Sequence, residues 1–500
     1  MNYNSLPVGA RNIKKMQAFS CGNMETKGEI PNIIIINGCG GHAADEVISS
    51  VTLGIKSSGG IATVHCVPYF GLLNRVNTLT TGYGNSFKRA VASSTEAIIK
   101  TNLVDGVVIV SDCEVTTSGI IMGAVRSNCP TLVMPIGANI FLNRHLFRFA
   151  GGQARKSENL EQFLESEAQR VGHETWLSPT TTFFLGLEVA GICLFGVSIG
   201  IVKSGKQLAL ARKTGEKIVE HAKDGLSPRR MLTVAALCNG VAFGCAIGGS
   251  VAGLKQFSQL FTECKISESF ISEIASKVPL LFTPEHHKEN TASIYAISKK
   301  GGVHAILAWL DEHTKVMENS ALTVDKGKLK EYFKTITTPE IEPVSKVSSI
   351  YYLRGSALEE GGYVQVSDKT PLFINDRAWV YASLEDAEKA LLGGAIRSGV
   401  IVLQNCVGMD VSQIAFIIEG MAKSDTITIV TDGYCEPSDV LVVQLCTPTS
   451  LENEDLANIQ TGDALEIDVK KGRINTAVPS KDMKTRAKRG SVKKVAEFFI

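Results

Sequence analysis

VDGVVIVSDCEVTTSGIIMGAVRSNCPTLVMPIG, from Val104 to Gly137, decides how this chain folds. It opens on GVVIV, Gly106 to Val110, a β-branched run short enough for a strand that is apolar on both faces. Ser111-Asp112-Cys113 breaks the run, and apolar residues then recur at helical spacing from Thr117 to Asn128. Thr131 to Pro135 is a second short apolar run. Strand, helix and strand within about thirty residues imply parallel strands joined by a crossover helix.

The same pattern holds upstream. NIIIIN, Asn32 to Asn37, is a β-branched run closed by Gly38-Cys39-Gly40-Gly41. Ala44 to Ser58 carries Val47, Ile48, Val51 and Ile55 at helical spacing and stops at Gly59-Gly60, a natural C-cap. Ser86 to Thr101 reads as an amphipathic helix. Alternating strands and helices predict an α/β fold whose N-terminal domain is a doubly wound parallel sheet. Ligands of such sheets bind beyond the carboxyl ends of the strands, so the turns after Asn37 and Val110 are the places for chemistry.

Downstream the reading turns helical, beginning with a polar helix over Gly151 to Arg170. Phe183 to Val202 and Val234 to Leu254 each reach the ~20 residues that a membrane span needs. Glu188 interrupts the first, both are rich in Gly and Ala, and neither has an aromatic belt, so both read as buried helices. Thr337 to Ser349 has the composition of a linker. After it come short strand-like runs at Ile350–Leu353, Tyr363–Val366, Ala378–Tyr381, Val400–Leu403, Thr426–Val430, Val440–Leu445 and Ala464–Val469. Helical patterns there are sparse, chiefly Leu384–Leu392 and Ser412–Ala422, which suggests a β-rich barrel or sandwich.

Composition narrows the function classes. At 500 residues the chain exceeds what one core usually spans, and two domains are expected, 1–340 and 350–500. Lys and Arg number 51 against 50 Asp and Glu, a balance that gives no electrostatic reason to bind nucleic acid or a membrane surface. The basic stretch Lys481 to Lys494 reads as a solvated helix face. Among 12 cysteines no CxxC pair occurs, so a zinc ribbon or thioredoxin-like motif is unsupported. Cys193, Cys238 and Cys245 sit in apolar runs and read as buried free thiols. The opening MNYNSLPVGARNIKKMQ lacks an apolar signal core, so a reducing cytoplasmic location is expected.

Taken together, these segments resemble the dihydroxy-acid dehydratase / phosphogluconate dehydratase family. Cys113, Thr116, Gly119, Met122, Arg126, Asn128 and Pro130 stand in the places of that family's central signature. VTLGIKSSGG (Val51 to Gly60), AIGGS (Ala246 to Ser250), YYLRGSALEEGGYVQVS (Tyr351 to Ser367) and TDGYCEPSD (Thr431 to Asp439) are similar to further family stretches in the same order. The resemblance implies an N-terminal α/β domain, a C-terminal β-barrel domain and a homodimer. It also implies an iron–sulfur cluster on three cysteines, a nearby magnesium ion, and elimination of water from a sugar acid or a branched 2,3-dihydroxy acid. In that scheme the cluster is the Lewis acid on the leaving hydroxyl, and a C-terminal serine takes the proton from the carbon bearing the carboxylate.

This sequence departs from the family at the metal. The first cysteine position falls on Gly40, with Cys39 one residue away; the second is Cys113; the third falls at Pro179 to Thr181, where there is no thiol. The magnesium-binding Asp-Gly aligns with Leu72-Leu73, the acid after the central cysteine is Glu114, and the modified lysine is Val115. The serine position holds Glu436, the loop before Gly408-Met409 is shortened, and Ser-Thr-Asn has become Ser250-Val251-Ala252. These residues are too few in thiolates for a conventional cluster. Cys113 and Glu114 remain as candidate ligands of a residual divalent metal. A mononuclear site drawn from Cys39, His42, His65, Cys66, Cys113 and Glu114 is a further arrangement, although its spacing matches no standard site.

Without a Lewis acid, hydroxide is a poor leaving group and needs a general acid. Candidate catalytic residues are Glu436, Asp432 and Cys113; their plain readings are a solvated turn residue, a turn cap and a buried thiol. The expectation is a lyase that eliminates water from a hydroxylated acid or amino acid, in a specialised biosynthetic pathway and without the cluster. The alternative is a catalytically inactive paralogue that binds a small ligand or a partner subunit. The family reaction on an unusual cluster ranks behind both. Gly38-Cys39-Gly40-Gly41 superficially suits phosphate binding but lacks the third glycine.

Overall fold

The computed structural model describes residues 16, 30–40, 44–69, 84–139, 172–264, 270–283, 293–333, 336–367, 369–406, 409–421, 426–436, 438–445, 454–479, 481–483 and 486. The expected helix over Gly151 to Arg170, His42, Leu72-Leu73, Gly408 and most of the basic tail lie outside these residues.

Strands β1 (Asn32–Gly38), β2 (Ile61–Cys66), β3 (Gly106–Ser111) and β4 (Thr131–Pro135) form a parallel sheet in the order β2-β1-β3-β4. β1, β3 and β4 are buried along their whole length, which is why they read as unbroken apolar runs. β2 is an edge strand of mixed burial; its IATVHC has no such signature and sequence reading passed over it.

Helices follow as α1 (Asp45–Ser57), α2 (Gly84–Thr101), α3 (Glu114–Ser127), α4 (Pro179–Val189), α5 (Gly205–Asp224), α6 (Pro228–Met231), α7 (Val234–Ala246), α8 (Val251–Glu263), α9 (Phe270–Ala275), α10 (Ile294–Lys299), α11 (Val303–His313) and α12 (Leu329–Phe333). Side chains on a strand alternate between faces. A Cβ on Gly106 would meet Ile33 of β1 and Ile218 of α5, whereas one on Gly38 would meet Thr116 and Ile120 of α3. Helices therefore cover both faces, and the sheet is doubly wound as expected. On one face α1 and α5 cross at glycines: a Cβ on Gly54 would lie 1.9 Å from the Arg212 carbonyl oxygen. On the other, Gly119 and Gly123 let α3 press against α2, whose Lys88 carbonyl oxygen would lie 2.8 Å from a Cβ on Gly119.

The two long apolar stretches are buried helices broken by turns. α4 is 11 residues long and fully buried. α7 stops at Ala246, and Gly248, at φ +70°, turns the chain into α8. Among the described residues no helix is long and apolar enough to cross a membrane. Cys193, Cys238 and Cys245 are buried free thiols; burial pushes Cys245 up to about 12.

The C-terminal strands close into a barrel in the order β10-β6-β5-β12-β11-β7-β8-β9. They are β5 (Ile350–Gly355), β6 (Leu358–Gln365), β7 (Phe373–Tyr381), β8 (Gly399–Leu403), β9 (Ile427–Thr431), β10 (Val442–Leu445), β11 (Ala464–Asp468) and β12 (Arg473–Thr476). Helices α13 (Leu384–Leu392), α14 (Ser412–Glu419) and α15 (Glu454–Asn458) accompany them. The alternation in β8 shows how the barrel is built. Val400 and Val402 join a core with Leu353, Val364, Val443 and Ile467, while Ile401 and Leu403 pack with Leu384 and Leu391 of α13 and Ile414 and Ile418 of α14. Helices thus cover the outside of a parallel segment, and a barrel rather than a sandwich results.

The barrel is tied to the first domain through the α7–α8 turn. The Gln365 amide donates to the carbonyls of Gly248 and Gly249, at 3.1 and 3.0 Å. Ser348 donates to the Cys245 carbonyl.

Candidate functional site

The carboxyl ends of β1 and β3 are locked side by side. The Ser111 hydroxyl donates to the Gly38 carbonyl and accepts the Cys113 N–H. Thr117 donates to the Cys113 carbonyl at 2.6 Å. Asn37 turns the chain after β1 by accepting the Cys39 N–H at 3.0 Å. Cys113 is the N-cap of α3 and makes no side-chain capping bond. Ser, Thr, Asp or Asn at that position would stabilise the helix start by about 1 kcal/mol, so local helix stability does not account for a thiol here.

Around Cys113 the buried groups are polar. Asp112 accepts from the Tyr69 hydroxyl at 3.4 Å and from the Gly172 N–H at 3.3 Å. Glu114 accepts from the Thr180 hydroxyl at 2.6 Å. Thr180 lies in the first turn of α4, whose start is capped by Ser178 accepting the Thr181 N–H. Ser178 in turn donates to the Glu174 carboxylate at 2.7 Å. His173, beside them, is driven down to about 4 by burial and is neutral at ordinary pH.

Lys88 enters this cluster from α2. It is buried, and its ammonium donates to the Gln256 side chain of α8 at 2.6 Å. Burial draws it down to about 8, partly opposed by Glu114 and Cys113 of α3, while Lys255 lowers it further. The Lys255 charge also lowers Asp432. Asp432 follows β9 and accepts the Cys406 N–H at 2.8 Å, which makes it the turn cap that its position suggested. Burial raises its carboxyl above the usual range, against the pull of that N–H.

Glu436 is placed differently. It is half-buried on the same turn, and its N–H donates to Ser412 at the start of α14. Cys435 beside it is bracketed by the Gln444 side chain, which holds the turn rigid. Sequence reading named Cys113, Glu114, Asp432 and Glu436, and it missed Lys88, Lys255, Tyr69, Asp112 and Thr180. One signal was available: Lys88, Val91, Ala92, Thr95 and Ile99 share the buried face of α2, and a lysine at such a position is unusual.

The residues do not fit an iron–sulfur cluster. A Cβ on Gly40 would lie 2.8 Å from the Tyr69 ring, so that ring stands where a first cysteine would project. At the third position Thr180 is bonded to Glu114 inside a capped helix. Cys39 turns its thiol to the Val110 carbonyl, and burial, then the Asp112 charge, raises it well above the usual range. Among the described residues no group of three His, Cys, Asp or Glu side chains is placed to hold a metal ion, which leaves Cys113 and Glu114 without a described third ligand. Of the six-residue mononuclear arrangement, His42 lies outside the described residues, and no three of the other five are placed to hold a metal ion.

The chain thus combines a doubly wound parallel sheet, whose carboxyl edge gathers buried acids, a thiol and a lysine, with a closed β-barrel that is bonded to the turn before α8. The chain belongs to the dihydroxy-acid/6-phosphogluconate dehydratase family: residues 32–332 match the model of its N-terminal domain and 335–499 that of its C-terminal domain. It is similar to the dihydroxy-acid dehydratase of Ignicoccus hospitalis, at 25% identity over 90% of this chain and 86% of the relative. The dihydroxy-acid dehydratase of Clostridium novyi is 26% identical, over 88% and 85%. That of Methanococcoides burtonii is 25% identical, over 88% and 85%.

Proposed function

We propose that the chain is a hydro-lyase that eliminates water from a hydroxylated acid or amino acid by protic acid–base chemistry, without the iron–sulfur cluster, in a specialised biosynthetic pathway. One observation carries this reading. The positions where a cluster would be held are filled by the Tyr69 ring and the Thr180–Glu114 bond, yet Cys113 and Lys88 keep ionisable groups around the same edge, and the barrel turn keeps Asp432 buried. A decayed site would have no need to hold a lysine and several acids away from water, because burying charge is costly. In this scheme an acid of the barrel turn, Asp432 or Glu436, takes the proton from the carbon next to the carboxylate. Cys113 lines the opposite wall, and the active unit is a cytoplasmic homodimer.

The test uses the full chain purified anaerobically, with EDTA present. 2,3-Dihydroxybutanoate, 2,3-dihydroxy-3-methylbutanoate, gluconate, 6-phosphogluconate and threonine are offered, and 2-oxo acid product is measured. Turnover that survives EDTA, in colourless protein, is expected, as is its loss in Asp432→Asn or Glu436→Gln. Activity that appears only in brown, iron-loaded protein overturns the reading. No turnover of any compound, together with a thermal shift from one of them, favours the inactive ligand-binding paralogue.

A further inference from the structure

Resting on the lyase reading, we propose that Lys88 is the general acid that protonates the departing hydroxyl. Topology puts it in reach. α2 follows β2 in the chain, so its N-terminal end lies at the carboxyl edge of the parallel sheet, beside the start of α3. Lys88 is just past the first turn of α2, where its backbone packs under Gly119 of α3. Its side chain runs to Gln256 on α8. The charged and ionisable groups that act on it include Glu114 of α3, Cys113 at the N-cap of that helix and Lys255 of α8.

The neighbours serve other purposes. Glu114 accepts a hydrogen bond from the Thr180 hydroxyl and Asp112 accepts one from that of Tyr69. Lys88 brings an ammonium, a group that gives up a proton without acquiring negative charge. Burial also makes it a stronger acid than a solvated lysine, at about 8, close to the range where general acids work best.

The step balances. A barrel carboxylate takes the proton from the carbon bearing the substrate carboxylate. That electron pair forms the carbon–carbon double bond, the bond to the neighbouring hydroxyl breaks, and an Nζ proton of Lys88 joins the departing oxygen as water. The enol becomes a 2-oxo acid, and solvent returns the proton from the carboxyl to the amine. Nothing is oxidised or reduced.

A change of leaving group tests this. 2,3-Dihydroxybutanoate and 3-chloro-2-hydroxybutanoate lose the same proton and give the same 2-oxobutanoate, but chloride departs without needing a proton. Lys88→Met is expected to lower kcat/KM by ~100-fold or more on the dihydroxy acid and by less than about tenfold on the chloro acid. Lys88→Arg keeps the charge but holds its proton too tightly to donate it, and is expected to share the loss on the dihydroxy acid. Equal losses on both substrates, in variants that melt like the wild type, overturn the proposal and leave the lyase reading standing. So does unchanged activity in Lys88→Met. If wild-type protein eliminates from neither compound nor from any other offered above, the lyase reading fails and this proposal falls with it.

Discussion

Replacing Thr180 by valine removes one hydroxyl and keeps the shape and β-branching of the side chain. Thr180 and Glu114 are both almost fully buried, and their bond is 2.6 Å long. A hydrogen bond to a charged group contributes about 1.5–3 kcal/mol, and a buried acceptor that loses its donor is costly. Thr180→Val is therefore expected to cost about 2 kcal/mol. At roughly 2–4 °C per kcal/mol for a large domain, the melting temperature should fall by about 4–8 °C. Calorimetry or a circular-dichroism melt measures this, with Thr180→Ser as the control that keeps the donor. In a Glu114→Gln background the same substitution should cost under about 1 kcal/mol, because a neutral acceptor tolerates the loss better. A Thr180→Val protein that melts within experimental error of the wild type would refute the claim that this bond fills the cluster position.

Four further outcomes are expected. Glu188 is buried and accepts the N–H groups of Gly196 and Ser198, yet burial raises it from 4.5 to about 7. The folded protein keeps that proton where the unfolded chain has lost it, so the group's stabilisation is complete below 4.5 and is lost as pH rises towards 7. The loss is about 3 kcal/mol, and Glu188→Gln should flatten the decline in melting temperature across that window; an unchanged slope contradicts the assignment. Gly54→Ala should destabilise by about 3 kcal/mol or more despite better helix propensity, because α1 and α5 must separate. Gly205→Ala, whose Cβ would meet nothing within 4 Å, should be neutral or stabilising. Gln365→Leu strips the donor from the carbonyls of Gly248 and Gly249, and proteolysis between the domains should then quicken relative to wild type.

The elements that sequence reading found are those whose burial is uniform. Asn32 to Asn37 and Gly106 to Val110 are apolar on both faces and could hardly be other than central strands. β2 and β12 escaped because they are half-exposed or short, with four residues in β12. Barrel closure was equally hidden, because it depends on β10 pairing with both β6 and β9. At the carboxyl edge, the turn holding Cys113 was legible because it breaks an apolar strand, whereas Glu114 came from the family signature. Lys88 was not, because its significance comes from Gln256, 168 positions away. Tyr69 over Gly40 is likewise a contact between two turns that no local pattern encodes.

The crossing of α1 with α5 also bears on how the protein is made. All four strands of the first sheet have been synthesised by Pro135, but one face is closed only by α5, which ends at Asp224. A nascent chain of intermediate length would carry a paired sheet with Ile33 and Gly106 still awaiting Ile218. Such a face is sticky and is the kind of surface that chaperones hold. The order of synthesis thus sets a delay into folding, and a chain truncated near residue 140 is expected to aggregate although it contains every strand of that sheet.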